Sequence, residues 1–150
     1  MTGSVTYEAL LRQERRVMTH TVGCSMRPLL SDRESIVIVE AADRVPPRRG
    51  DVVLYKTGET YILHRVLRIK PEEYLTRGDN TWVIEHVPKD AVLATMTGFY
   101  RYPESRLVSR NNIAYRLYVL ALPEIRLVRR GGSKVKREIR KAVSVRMKEH

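Results

Sequence analysis

The stretch Gly50-Asp51-Val52-Val53-Leu54-Tyr55-Lys56-Thr57-Gly58-Glu59-Thr60-Tyr61-Ile62-Leu63-His64-Arg65-Val66-Leu67-Arg68-Ile69 decides the fold class. Gly50-Asp51 marks a turn, and Val52 to Tyr55 is rich in β-formers. Thr57-Gly58-Glu59 breaks the chain, and Tyr61 to Ile69 resumes the strand pattern, so the stretch is expected to form a β-hairpin. Working outward, the run Ser35 to Ala41 (Ser-Ile-Val-Ile-Val-Glu-Ala) is a further strand preceded by the turn-like Ser31-Asp32-Arg33. Tyr74-Leu75-Thr76 and Ala91 to Tyr102 continue the series, with Gly98 marking a bulge or a close approach. Short strands separated by Gly, Pro and Asp turns argue for a curled antiparallel sheet, not a βαβ array.

The flanks differ from this middle. Val5 to Met18 has helix-forming composition, with Leu10, Leu11, Val17 and Met18 available for one face, and is expected to form a short amphipathic helix. From Arg110 the composition turns helical again. Asn111-Asn112 can cap a helix over Ile113 to Leu122, and Pro123 ends or kinks it. Gly131-Gly132 then precedes a segment in which Val135, Ile139, Ala142, Val143 and Met147 recur at helical spacing among basic residues. The expected organisation is therefore a helical lead-in over residues 1–18, one β domain over 19–109 and a helical, basic extension over 110–150.

A chain of 150 residues suffices for one core. Its net charge of +11 is concentrated at the end, where residues 129–150 hold nine Lys or Arg against two acidic residues. Such a tail contacts anionic surfaces with little selectivity; peripheral contact with anionic membrane through 131–150 is one reading and a solvated basic helix the other, and no specific nucleic acid is expected. The single Cys24 precludes an internal disulfide. No cofactor or metal is expected: the four histidines lack ligand spacing and no Gly-rich phosphate loop is present. Met1 to Met18 contains Glu8, Arg12, Glu14, Arg15 and Arg16, and the tract Ile113 to Val128 is interrupted by charges. Neither reads as a signal peptide or a membrane span, which points to a cytoplasmic or peripherally attached protein.

Three short motifs carry the chemistry. Gly23-Cys24-Ser25-Met26-Arg27-Pro28 supplies a hydroxyl, His64-Arg65-Val66 an imidazole, and Gly78-Asp79-Asn80 a carboxylate. A serine is a poor nucleophile until a base takes its proton, and an imidazole titrates in the right range to accept a proton and give it back. A third, acidic group orients the imidazole and stabilises its charged form.

In order and spacing these motifs, together with Arg49-Gly50-Asp51-Val52-Val53, resemble the signal peptidase and repressor-cleaving serine peptidase superfamily. The resemblance is closest to the Ser-His signal peptidases of the endoplasmic reticulum and archaeal type, and it covers roughly residues 20–100. It implies a mainly β, coiled antiparallel domain and a serine endopeptidase acting on an extended precursor or leader peptide. Ser25 is the implied nucleophile and His64 the general base, standing where Ser-Lys relatives place a lysine. Many relatives carry a serine at the position of Gly23, so the oxyanion is expected to rest on backbone N–H groups, notably that of Ser25. The orienting acid is either Asp79 or Glu85, the latter lying where relatives of this branch have a second aspartate. Met26, Ile36 and Ile38 are candidates to line substrate pockets, although core packing also accounts for them. Asp51 reads as a turn residue, and His20 and His86 as exposed bystanders. Two other readings compete. One is a regulator akin to self-cleaving repressors, for which the 24 residues before Ser25 leave too little room for a helix-turn-helix domain. The other is a non-catalytic interaction module with a basic tail.

Overall fold

The computed structural model describes residues 6–101, 103 and 105–123. The segment of helical spacing after Gly131-Gly132 and the basic tail lie outside them. The chain divides into two compact units at Tyr115, and the first holds all the β-structure.

Thr6 caps helix α1 (Tyr7–Glu14) by accepting the N–H of Ala9 at 3.3 Å, and the helix buries Leu11. It ends sooner than expected. Arg15 takes a left-handed conformation (φ 60°) and the chain reverses into strand β1 (Arg16–His20). Val17 and Met18, expected on the helix face, therefore stand on a strand. The composition of 5–18 allowed a helix throughout, but pairing with β2 (Ile36–Ala41) captured its second half, as Val17 opposite Val39 and Met18 opposite Ile38.

The hairpin forms as the sequence indicates: β3 (Val52–Thr57) and β4 (Thr60–Ile69) pair around Gly58, with Val53 opposite His64 and Tyr55 opposite Ile62. Next come β5 (Glu73–Arg77), β6 (Glu85–Pro88), β7 (Val92–Tyr100) and β8 (Leu107–Ser109). All pairings are antiparallel, and the eight-stranded sheet runs β1-β2-β7-β3-β4-β5-β6, with β8 added to β7. Strands β6 and β8 were not expected from sequence.

Four consecutive residues of β3, Val52 to Tyr55, are buried, so both faces of this strand are covered. A single antiparallel sheet achieves that by coiling on itself, and register shifts at Ile38/Val39, Leu54/Tyr55 and Val66/Arg68 supply the local bends. Gly98 sits at the first of these shifts, where a Cβ would approach Leu107 Cδ1 to 2.9 Å, so it marks both a bulge and a close contact. One core cluster joins Val53, Tyr55, Val66, Tyr74, Val87 and Val92. This mainly β, coiled architecture is the expected fold class. Asn112 caps the closing helical stretch by accepting the N–H of Tyr115 at 3.1 Å, and the second unit is helical through residue 123. Pro123 still lies in that stretch. No helix among the described residues is long and apolar enough to cross a membrane.

Candidate active site

Ser25 stands on the turn that joins β1 to β2. The turn is held internally by Arg27 N–H to the Cys24 carbonyl (3.2 Å) and Leu30 N–H to the Met26 carbonyl (3.0 Å). It is held externally by Asn80, whose backbone N–H reaches the Ser25 carbonyl at 2.7 Å and whose side-chain amide reaches the Cys24 carbonyl at 3.2 Å. The Gly78-Asp79-Asn80 motif thus clamps the serine turn. Gly23 enters the turn at φ +94°, a conformation that L side chains rarely adopt, which gives a backbone reason for a glycine at this position.

His64 is brought alongside by β4. A Cβ built on Gly78 would lie 3.0 Å from His64 Nε2 and 3.1 Å from Ser25 Cβ, so both side chains converge on the space that this glycine leaves open. Neither Ser25 Oγ nor His64 Nε2 has a hydrogen-bond partner among the described residues. The N–H of Ser25 also has no protein acceptor among them, which leaves it available to an oxyanion.

The other ring nitrogen decides between the two acids. His64 Nδ1 lies 2.6 Å from Glu85 Oε2, at the start of β6. A carboxylate only accepts, so Nδ1 carries a proton, and in the neutral ring Nε2 then holds the lone pair. Asp79 goes elsewhere: Arg65 Nε and Nη2 donate to its two oxygens at 2.8 and 2.7 Å, and both side chains are at most 3 % exposed. Arg65 also donates to the Gly50 carbonyl (2.6 Å) and the Tyr115 hydroxyl (2.9 Å). Burial alone would lower the pKa of this guanidinium, but Asp79 reverses the effect and raises it. The acid on the imidazole is therefore Glu85, and Asp79 serves a buried ion pair that ties β4 to the Gly-Asp-Asn turn.

A third group at this site was missed. Tyr55, 1 % exposed, places its hydroxyl 3.1 Å from His64 Nδ1 and donates to Glu85 Oε2. Burial, with the Glu85 carboxylate beside it, pushes its phenol well above the ordinary value. The hairpin register contained the signal: with Val53 opposite His64, Tyr55 lies two residues along on the same face, a diagonal neighbour.

A cleft of about 570 Å³ opens at Ser25 and His64. One wall is Thr19 to Gly23 and the other Glu59 to His64, with Met26, Leu30 and Leu54 between them. β1 pairs on one side with β2, and β5 pairs with β4 only from Arg65 onward, so two strand edges face the cleft. At its far end Tyr7 hydrogen-bonds Thr19 (2.7 Å) and packs edge-on against Tyr61 at 4.8 Å.

Of the expected pocket residues, Met26 lines the cleft, whereas Ile36 and Ile38 do not. Ile38 packs over β7, its Cδ1 3.8 Å from the Cβ position of Gly98. A strand's alternation says which residues share a face but not what that face meets. Asp51 accepts the Arg48 N–H (2.8 Å) and pairs with Arg110 (3.0 Å), in keeping with a turn role. His86 contacts Glu73 on the surface, and His20 is exposed on the cleft wall. No cluster of three or more His, Cys, Asp or Glu suited to a metal occurs among the described residues. Compared with known proteins, the chain matches no family model and no curated protein, so the site's geometry carries the functional argument.

Proposed function

We propose that this chain is a serine endopeptidase of the signal-peptidase kind, cutting an extended peptide with Ser25 as nucleophile and His64 as general base. The observation that carries the reading is the split use of one imidazole. Nδ1 is held by Glu85 at 2.6 Å, while Nε2 and Ser25 Cβ flank the same space, 3.0 and 3.1 Å from where a Cβ on Gly78 would stand.

Ser25 Oγ attacks the scissile carbonyl as its proton passes to Nε2, and Glu85 stabilises the imidazolium that results. The oxyanion accepts the N–H of Ser25. His64 then returns the proton to the departing amine, and water repeats the sequence on the acyl-enzyme. The two open strand edges suit a substrate strand laid between them, its backbone supplying hydrogen bonds to both walls. From His64 to Thr60 the wall is five residues, four strand steps or about 13 Å, and Tyr61 on this wall packs against Tyr7 across the cleft. The acyl side of the substrate thus occupies roughly four residues in extended form. By the resemblance, small residues are preferred beside the scissile bond.

Digestion of a complex peptide mixture, read by mass spectrometry, tests this. New termini should appear with the wild type and vanish with a folded Ser25→Ala variant. Termini that persist in the variant would remove Ser25 from the reaction.

A further inference from the structure

Glu85 is a long acid for its task. Its side chain has three rotatable bonds and is about one-third exposed, whereas the His64 ring it holds is 9 % exposed. Left to itself, a glutamate at this place would sample water as readily as the imidazole, and each departure would free the ring to change orientation. Something has to fix its carboxylate.

Tyr55 is placed to do so. Its ring belongs to the core cluster with Val53, Val66 and Val87, so the hydroxyl's position is set by packing. That hydroxyl donates to Glu85 Oε2, the same oxygen that receives His64 Nδ1–H, and its own oxygen faces Nδ1 at 3.1 Å. Thr76, fully buried on β5, points its hydroxyl at the Tyr55 oxygen from 3.5 Å. A donor on that oxygen directs the Tyr55 proton towards Glu85.

We infer that Tyr55 is a positioning residue for the His64–Glu85 pair, a buried phenol that holds the carboxylate and imidazole in one contact so that Nε2 stays turned to the space over Gly78 beside Ser25. The inference rests on the peptidase reading and adds a residue to it. It acts through Glu85, so its effect depends on Glu85 being present. A tyrosine whose hydroxyl merely satisfies itself in the core would show no such dependence.

The test is a double-mutant cycle on the whole chain, with the rate of fluorophosphonate labelling at Ser25 as readout. Tyr55→Phe keeps the ring in the core and is expected to slow labelling about tenfold, about 1.4 kcal/mol of barrier. In a Glu85→Ala background the same change should have almost no effect, since the carboxylate it positions is gone. A wild-type rate for Tyr55→Phe, or an equal slowing in both backgrounds, overturns the inference. The His64 Nδ1 proton gives a second readout by NMR that needs no activity. It should be protected from exchange in the wild type and exchange faster in Tyr55→Phe; equal protection in both overturns the inference. Failure of the wild type to label counts against the peptidase reading, and the Nδ1 proton then decides the role of Tyr55 by itself.

Discussion

Replacing Asp79 by alanine should cost the fold far more than replacing Glu85, although the two acids stand only six positions apart in the chain. Arg65 and Asp79 form a bidentate pair at 2.7 and 2.8 Å with side chains 3 % and 2 % exposed. Removing the carboxylate takes its bidentate partner from a buried guanidinium, a loss of about 3–5 kcal/mol. The damage should not stay local. Arg65 also holds Gly50 and Tyr115, and the ring of Tyr115 packs edge-on against Phe99 at 5.7 Å. For a domain of this size, a loss of about 3–5 kcal/mol corresponds to a fall of roughly 10–15 °C in Tm. Urea unfolding followed by far-UV circular dichroism reads the difference directly. Asp79→Asn, which keeps the shape and loses the charge, should fall between the wild type and Asp79→Ala. An Asp79→Ala variant within about 1 kcal/mol of the wild type would refute the reasoning, because a pair this buried cannot be lost at surface cost.

Glu85→Gln should do the reverse, keeping stability within about 1 kcal/mol. It should also slow labelling of Ser25 on the order of 10³-fold, since an amide no longer fixes the imidazole tautomer; parallel urea and labelling curves check both halves. Gly78→Ala should abolish labelling, because its Cβ would sit 2.6 Å from the Ser25 carbonyl oxygen and 3.0 Å from His64 Nε2. The displaced turn should cost about 1–3 kcal/mol in the same urea assay. Alkali should destabilise the protein through Tyr55. The folded phenol keeps its proton above its ordinary value of 10.0 while the unfolded one ionises, so the unfolded state binds fewer protons and stability falls as pH rises through 10. Tyr55→Phe should make that alkaline slope shallower, and unfolding curves across this range would show it.

The strands from β2 through β5, and β7, were legible in the sequence because β-branched runs alternate there with Gly, Asp and Pro turns. Strand β1 was not. Arg16 to His20 continues a helix-compatible composition, and what ends the helix is the left-handed turn at Arg15, a conformation with no glycine to announce it. β6 and β8, four and three residues long, exist through pairing with β5 and β7 and carry little pattern of their own. Ser25 and His64 were legible as chemistry, and the structure brings them to one place. The choice between Asp79 and Glu85 was not legible, because two acids six positions apart across a turn can each be presented to a neighbouring strand. It is settled by which basic group lies nearer: alternation on β4 sends His64 and Arg65 to opposite faces, and each acid follows its own partner. Ile36 and Ile38 illustrate the same limit, sharing a face that turns out to meet β7 packing and not the cleft.

The most direct measurement is mass mapping of a fluorophosphonate adduct on the wild type, Ser25→Ala and His64→Ala. The account predicts an adduct on Ser25 of the wild type, none in Ser25→Ala, and sharply slower labelling in a folded His64→Ala. A folded wild type that remains unlabelled, or a Ser25 adduct whose rate ignores His64, would contradict it.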